Sequence, residues 1–368
     1  MKKVFQKLVA KFLIPLIAFS LILWYNENTF AAVKDESENN NSFSTANSIS
    51  CGDLIRGYIW QQINPSQDKD YFKIYFNAGK TVVINFINAH PKVDYNIYLY
   101  NSSQQLITSS TNPTGKNEFI SYSVLSSGYY YILVSSSYGY SGSAYYSLQV
   151  LKSIYTNSNS TNINYNRAGA RSYALKYAIS PNPKYADFSN YGGDCTNFAS
   201  QVLFEGGGLA QIASSTSGIE SDTNYWFYKT STNRSTSWTG AEEFRRHWGN
   251  SNGFGKKRAY QIKILPVWYA VEKFKTEVYD FLKEGDIVQH VNAYSSTYGR
   301  DASYHSQIVH DKKYQNGIYD ILYAQHSVSS EGFYSNGSLY DYLVNSRLNN
   351  PDENKRIGWI ILYKISSN

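Results

Sequence analysis

Two cysteines and six histidines bound the nucleophilic chemistry open to this 368-residue chain. Cys195 stands in Tyr191-Gly192-Gly193-Asp194-Cys195-Thr196-Asn197-Phe198-Ala199-Ser200-Gln201-Val202-Leu203, a Gly-rich turn that runs into an amphipathic segment with Phe198, Val202 and Leu203 on one side. Asp194 is the residue type of a helix N-cap, which puts Cys195 at the first helical position. There the unpaired N–H groups and partial positive charge of a helix start favour thiolate over thiol, and the same N–H groups can hold an oxyanion. The bland alternative is a buried, inert thiol. Against it, His305 and His326 follow in strand-like segments, and a single well-placed cysteine with later histidines is the arrangement a Cys–His hydrolase requires.

Strand geometry gives an expectation for which histidine can stand beside His305. Asn316-Gly317 is a strong two-residue hairpin signal between Tyr304–Tyr314 and Ile318–Ser327. With Gln315 paired to Ile318, His305 falls opposite Val328, His326 is its diagonal neighbour on the same face, and His310 points to the other face. A bulge would slip that register by one and reverse the faces. The remaining histidines read as structural: His90 in the first half, His247 after the helix-like Glu242–Arg246, and His290 closing the Asp286–Gln289 strand. A zinc site from His305, His310 and His326 lacks any helical i, i+4 ligand pair. Trp226 and Trp238 are read as core residues before cleft residues. Cys51, in the polar turn Ser50-Cys51-Gly52-Asp53, lacks the aliphatic residue that a lipid-attachment site needs three places earlier, and is not expected to pair with Cys195.

The elements that must position these groups fall into two blocks. From Asp70 to Val150 the pattern has period two: Phe72, Ile74 and Phe76 alternate with Tyr71, Lys73 and Tyr75, and Val82, Ile84 and Phe86 follow. Turn signals at Asn77-Ala78-Gly79, Asn101-Ser102, Pro113-Thr114-Gly115 and Ser127-Gly128 space these strands as in an antiparallel sandwich. The polar run 152–164 has no apolar period and reads as a linker. Beyond it Arg167–Ala178, Cys195–Phe204 and Val267–Leu282 are helix-like, and strands return from Asp286 to Ile365, an α+β order. The predicted architecture is therefore an all-β domain over 32–151 and an α+β domain with an antiparallel sheet over 165–368.

Both blocks resemble known families. Asp68-Lys69-Asp70-Tyr71-Phe72, Asn77-Ala78-Gly79-Lys80, Asp94-Tyr95-Asn96-Ile97-Tyr98-Leu99-Tyr100 and Ser127-Gly128-Tyr129-Tyr130-Tyr131-Ile132-Leu133-Val134 together look like the bacterial pre-peptidase C-terminal domain. That resemblance implies a β-sandwich appended to a secreted hydrolase, with Asp68, Asp70 and Asp94 as candidate calcium ligands in the accessory domain; solvated turn carboxylates are the competing reading. Tyr165-Asn166-Arg167, Tyr173-Ala174, Asn182-Pro183-Lys184-Tyr185, Gly192–Gln201, Ser237-Trp238-Thr239, Gly285-Asp286-Ile287-Val288-Gln289 and His305-Ser306-Gln307-Ile308-Val309 look like the putative amidase domain family, which is similar to the papain-like amidases of cell-wall hydrolysis. Carried over, it implies a papain-like Cys–His domain with Cys195 as nucleophile, His305 as base and His326 as the residue that orients it. Asp194 caps the helix and supports the oxyanion donors.

The N-terminus carries Lys2, Lys3, Lys7 and Lys11, an apolar run from Phe12 to Tyr25 interrupted by Pro15, and small residues at Thr29 and Ala31. This predicts a signal peptide over 1–31, too short for a stable span, and hence a secreted, extracellular or wall-associated protein. Removing it takes four lysines and Glu27, so the formal charge drops from +6 to +3. That mild, diffuse basicity suits an anionic wall and gives no nucleic-acid footprint. The function expected is a thiol-dependent amidase or peptidase acting on peptidoglycan or its stem peptides, with no cofactor required for the chemistry. An acyl-transfer enzyme using the same thioester and a non-catalytic wall-binding protein are the alternatives.

Overall fold

The computed structural model describes residues 32–60, 68–156, 162–249, 256–327 and 332–368. The expected signal peptide, residues 1–31, lies outside them. Among the described residues no helix is long and apolar enough to cross a membrane.

The first half is all β. Strands β1 (Val33–Asp35), β2 (Asn47–Ser48), β3 (Leu54–Ile59), β4 (Lys69–Phe76), β5 (Thr81–Ile87), β6 (Asp94–Tyr100), β7 (Leu106–Ser110), β8 (Glu118–Ser123), β9 (Gly128–Tyr138) and β10 (Ser141–Thr156) follow one another. They form two layers, one with the order β2-β4-β9-β6-β7 and one in which β10 lies between β3 and β5, with β1 and β8 outside. The period-two pattern holds: Phe72, Ile74 and Phe76 of β4 face Phe86, Tyr146 and Leu148 in one core between the layers. On β5, however, both faces are buried, because the second half of the chain covers the outer one.

The second half contains helices α1 (Arg167–Tyr177) and α2 (Cys195–Gln201), the latter continued by a wide turn over Val202–Gly206. After three short strands, β11 (Ile219–Glu220), β12 (Tyr228–Thr230) and β13 (Asn233–Ser235), come β14 (Gln261–Pro266), β15 (Ile287–Ser295), β16 (Arg300–Gln315), β17 (Ile318–Gln325), β18 (Tyr334–Ser338) and β19 (Trp359–Lys364). The last six make an antiparallel sheet in the order β14-β19-β15-β16-β17-β18. The run Trp359–Tyr363 is uninterruptedly apolar because the sheet is covered twice. Ile361 and Tyr363 pack with Phe198 of α2 and Val202 of the turn that continues it, while Ile360 and Leu362 pack with Val267, Phe274 and Leu343 on the opposite face.

The two halves are not joined by a free tether. The expected linker 152–164 is corrected in its first part: β10 runs on to Thr156 and pairs with β14 at Tyr155↔Ile262 and Thr156↔Gln261, so the sheets are continuous. Residues 157–161 lie outside the described part, and Asn162–Asn164 form a 3-10 turn. Buried polar bonds cross the junction. Trp268 Nε1 donates to Asn85 Oδ1 at 2.8 Å and Trp359 Nε1 to Gln149 Oε1 at 2.6 Å, while Gln149 Nε2 donates to the Ala293 carbonyl at 2.8 Å. Arg56 and Tyr145 both bind Glu353 nearby.

The hairpin forms as expected, with Asn316 and Gly317 both at positive φ (54° and 82°) and Gln315 opposite Ile318. Its register then changes. The pairing passes from Asp311↔Leu322 to Val309↔Tyr323, which leaves His310 as the extra residue of a β-bulge. A second bulge faces β15, where His290↔His305 is followed by Val291↔Ser303 and Tyr304 is the extra residue. His305 thus sits between two bulges, each of which re-aims the side chains around it.

Candidate active site

α2 is buried on every side although most of its residues are polar. A buried polar group must find a partner or cost stability, and each of these does. Thr196 Oγ1 lies 3.0 Å from Ser306 Oγ; Asn197 Nδ2 donates to the Ala186 carbonyl (3.0 Å) and to Asp194 Oδ1 (2.8 Å). Trp238 Nε1 donates to Asn197 Oδ1 and Trp226 Nε1 to Ser200 Oγ, so both tryptophans are core residues that also brace the helix from behind. Tyr173 Oη donates to Gln201 Oε1 at 3.0 Å. From β15, Gln289 Nε2 reaches Ser306 Oγ at 3.0 Å and is itself held by Tyr363 through its Oε1. This framework fixes the start of α2 against β16.

There the structure brings Cys195 and His305 together. Both are mostly buried, retaining 7% and 8% of their surface, so the pair borders solvent without being open to it. Burial alone would raise the Cys195 thiol. The charge of His305, a hydrogen bond to it, and further bonds from Thr196 and the Ser306 backbone outweigh burial and hold the thiol below its ordinary value. Burial likewise disfavours the His305 imidazolium, but the Cys195 charge and hydrogen bond together with Gln325 raise it above the ordinary value. Opposite shifts in a touching thiol and imidazole favour a thiolate–imidazolium pair.

The group that orients His305 is Gln325. His305 Nε2 lies 2.7 Å from Gln325 Oε1, which leaves Nδ1 for the thiol. His326, expected in that role, is turned away: its Nδ1 meets Asp194 Oδ2 at 2.6 Å, its Nε2 the Tyr177 carbonyl at 2.9 Å, and its ring is stacked between Phe198 and Phe333 at 4.0 and 4.2 Å. The cause is the bulge at His310. A one-residue slip exchanges the faces of adjacent residues on β17, so Gln325 takes the place that the unslipped register gave to His326. The signal lay in the sequence only as the adjacency Gln325-His326.

Asp194 has a different role from a cap. Its φ and ψ of −105° and 4° are not those of an extended N-cap, and its side chain accepts from no backbone N–H of the helix start. Instead Oδ1 accepts from the Phe188 N–H (3.0 Å) and Asn197, and Oδ2 faces His326. The carboxylate ties the Gly192-Gly193 turn to β17 from beneath and leaves the first N–H groups of α2 uncapped by a side chain.

Other expected groups are dispersed. His305, His310 and His326 do not converge, and among the described residues no group of three or more His, Cys, Asp or Glu side chains could hold a metal ion. Asp68 and Asp70 belong to a buried acidic cluster with Glu36, where Tyr146 Oη donates to Asp70 Oδ2 (2.5 Å) and lies 2.9 Å from Glu36 Oε2. Asp94 is apart, near Glu118. Cys51 and Cys195 are both unbridged.

Fold and site define a two-part protein: an all-β N-terminal region and an α+β domain whose antiparallel sheet presents an imidazole to a helix-start thiol. Residues 164–355 match the family model described as "Putative amidase domain", and the chain belongs to that family, whose name denotes hydrolysis of amide bonds. The quoted motif blocks meet in space: Tyr165 Oη donates to the Gly285 carbonyl at 2.6 Å, and Arg167 pairs with Asp286 at 2.8 Å. Among solved structures, the chain is similar to the pre-peptidase C-terminal domain of a collagenase from Bacillus anthracis, with 19% identity, 28% of this chain and 93% of that one covered, and a TM-score of 0.23. It is also similar to PliG, a periplasmic inhibitor of g-type lysozyme from Aeromonas hydrophila (13% identity, 32% and 97% covered, TM-score 0.21). A third likeness is to a secreted protein from Eubacterium rectale (16% identity, 35% and 48% covered, TM-score 0.22). No curated protein matches the sequence significantly.

Proposed function

We propose that the chain is a secreted, thiol-dependent amidase or peptidase of papain-like design that hydrolyses amide bonds in peptidoglycan or its stem peptides through a thioester on Cys195. The observation that carries this reading is the Cys195–His305 contact with its opposed pKa shifts, held from the far side by Gln325. The Cys195 thiolate attacks the amide carbonyl, forming the S–C bond, and the Cys195 N–H with a neighbouring donor receives the oxyanion. His305 gives its Nδ1 proton to the leaving amine as the C–N bond breaks. Water then gives a proton to His305 and adds to the thioester, releasing the acid and returning Cys195. Gln325 keeps the imidazole in the orientation that serves both steps.

The wall as substrate rests on the expected export and the mild positive charge. Mass spectrometry of new termini after incubation with purified peptidoglycan tests it: new amine and carboxyl ends with the parent and none with Cys195→Ala are expected. Release from simple peptides with intact peptidoglycan untouched would overturn the wall substrate.

In the accessory domain we propose a calcium ion at Asp68 and Asp70. Asp68 Oδ1 and Asp70 Oδ1 are each buried without a hydrogen-bond partner, and the Asp68 charge acts on Asp70; these are hard oxygens of the kind that a divalent cation would satisfy and neutralise.

A further inference from the structure

His290 and His305 are directly opposite one another on β15 and β16, their rings 5.9 Å apart. They do not bond to each other. Between them runs a chain of two amides whose polarity can be read from one end. Gln325 Nε2 donates to the Gly332 carbonyl at 2.9 Å, and a carbonyl only accepts, so the amide cannot be turned round there. Gln325 Oε1 therefore accepts at its other end, from Gln307 Nε2 at 2.8 Å and from His305 Nε2 at 2.7 Å. With its amine so committed, Gln307 presents Oε1 to His290 Nε2 at 2.8 Å, and that nitrogen must carry the hydrogen. His290 is then a neutral donor at Nε2 with a bare Nδ1, and Nδ1 is indeed buried without a hydrogen-bond partner.

We infer that His290 is a positioning residue for the Cys195–His305 pair: through Gln307 it fixes the amide of Gln325, and thereby keeps the proton on His305 Nε2 and Nδ1 directed at the thiol. The inference rests on the Cys–His reading of the site. If the His290 donor is lost, the buried Gln307 oxygen has no partner, and turning that amide sets its oxygen against Gln325 Oε1. Gln325 cannot turn to relieve this, because its amine is held on the Gly332 carbonyl, so the Gln307 amide shifts out of line and Gln325 Oε1, the acceptor that the imidazolium needs, loses the bond that holds it in place. The surroundings hold His290 neutral. It is fully buried, Arg347 from the 342–348 turn and His305 from β16 add positive charge, Tyr342 lies over its ring at 4.5 Å, and Tyr304 completes the cluster at 6.5 Å. The Arg347 guanidinium is bound to the Val291, Lys355 and Trp359 carbonyls, and Lys355 lies over the Tyr304 ring.

The test is the rate of Cys195 alkylation by iodoacetamide against pH, measured on the full chain for the parent, His290→Leu, His290→Gln and Gln307→Met, with folding checked by thermal melts. The parent is expected to show a thiolate that persists below the ordinary thiol range. His290→Leu should move that limb upward by about one pH unit, an about tenfold loss of reactivity on the acid side. His290→Gln, which keeps an N–H at the position of Nε2, should restore it. Gln307→Met should behave as the leucine variant does, and decides the matter if that variant does not fold. Folded relay variants with the parental profile would overturn the relay while leaving the pair intact. A parent with an ordinary thiol profile would instead overturn the Cys–His pair, and the relay with it.

Discussion

Gln325 Oε1 lies 2.7 Å from His305 Nε2 and at the same time receives the amide of Gln307, so a neutral side chain backs the imidazole at the site. A carboxylate there would stabilise the imidazolium by charge. Gln325 does so by one oriented dipole, which makes its geometry matter more than its polarity. Gln325→Ala is predicted to lower kcat by about ten- to a thousandfold with little change in KM, the pattern of a lost transition-state interaction. Steady-state kinetics on a soluble amide would check it. A Gln325→Ala enzyme with parental kcat would show that His305 needs no partner.

His326 and Asp194 are expected to matter for stability. Both are almost wholly buried, and His326 fills the gap between Phe198 and Phe333. Removing one member of a buried pair typically costs about 3 to 5 kcal/mol, and here the stacked ring is lost as well. His326→Ala should therefore lower the denaturation midpoint sharply, with activity falling in proportion to the folded fraction. His310→Ala, at the extra position of the bulge, should leave turnover almost unchanged. A stable His326→Ala protein with no activity would return His326 to the catalytic set.

The opposed shifts fix a pH window. A lowered Cys195 keeps its thiolate below the usual thiol value of about 8.5, and a raised His305 keeps its proton above the usual imidazole value of about 6.5. The profile of kcat/KM should rise on the acid side as Cys195 ionises and fall on the alkaline side as His305 loses its proton. In His305→Ala the acid limb of Cys195 alkylation should move up toward an ordinary thiol. An unmoved limb would mean that another group activates the cysteine.

The α+β domain is not predicted to survive removal of the sandwich. A chain beginning at Asn162 would expose the β14 edge now paired to β10, and would deprive Trp268 and Trp359 of Asn85 and Gln149. Exposed edges and unpartnered indoles favour aggregation. Size-exclusion chromatography should find this truncation aggregated, whereas cleavage of the full chain near 157–161 should leave the halves together. A monomeric, active truncation would contradict this.

The acidic cluster makes a prediction of the opposite sign from ordinary carboxylates. Burial raises Glu36 to about 7, and burial with the Glu36 charge raises Asp70 well above its usual value. The folded chain therefore binds protons that the unfolded chain releases, so this stability is full below the unfolded carboxylate range and is lost as pH rises through about 7. Thermal stability should fall from pH 5 to pH 8, less steeply in Asp70→Asn, and calcium at pH 8 should restore it in the parent only. Parent and variant curves that coincide with and without calcium would remove the cluster from the account.

The legible parts of the sequence were those with a strong local period or a strong local turn. Phe72, Ile74 and Phe76 alternate as read, and Asn316-Gly317 forms the turn it signals. The meeting of Cys195 and His305 is legible in their residue types and order, which are those of a thiol and an imidazole that have to touch to act. The bulges at Tyr304 and His310 were not, since a bulge is fixed by what packs on both faces of the sheet and leaves the local pattern unchanged. One such bulge gives the hydrogen bond to His305 to Gln325 instead of His326. The junction is illegible for a similar reason: the polar residues after Lys152 look like a tether, yet as far as Thr156 their backbone continues the sheet.

The most direct measurement is intact-protein mass spectrometry after rapid acid quench with an activated amide or ester substrate, followed by mapping of the modified peptide. One acyl group is expected, carried by Cys195, that accumulates in Gln325→Ala as the His305-assisted water step slows and is absent in Cys195→Ala. Full turnover with no acyl adduct, or the same adduct and turnover in Cys195→Ala, would contradict it.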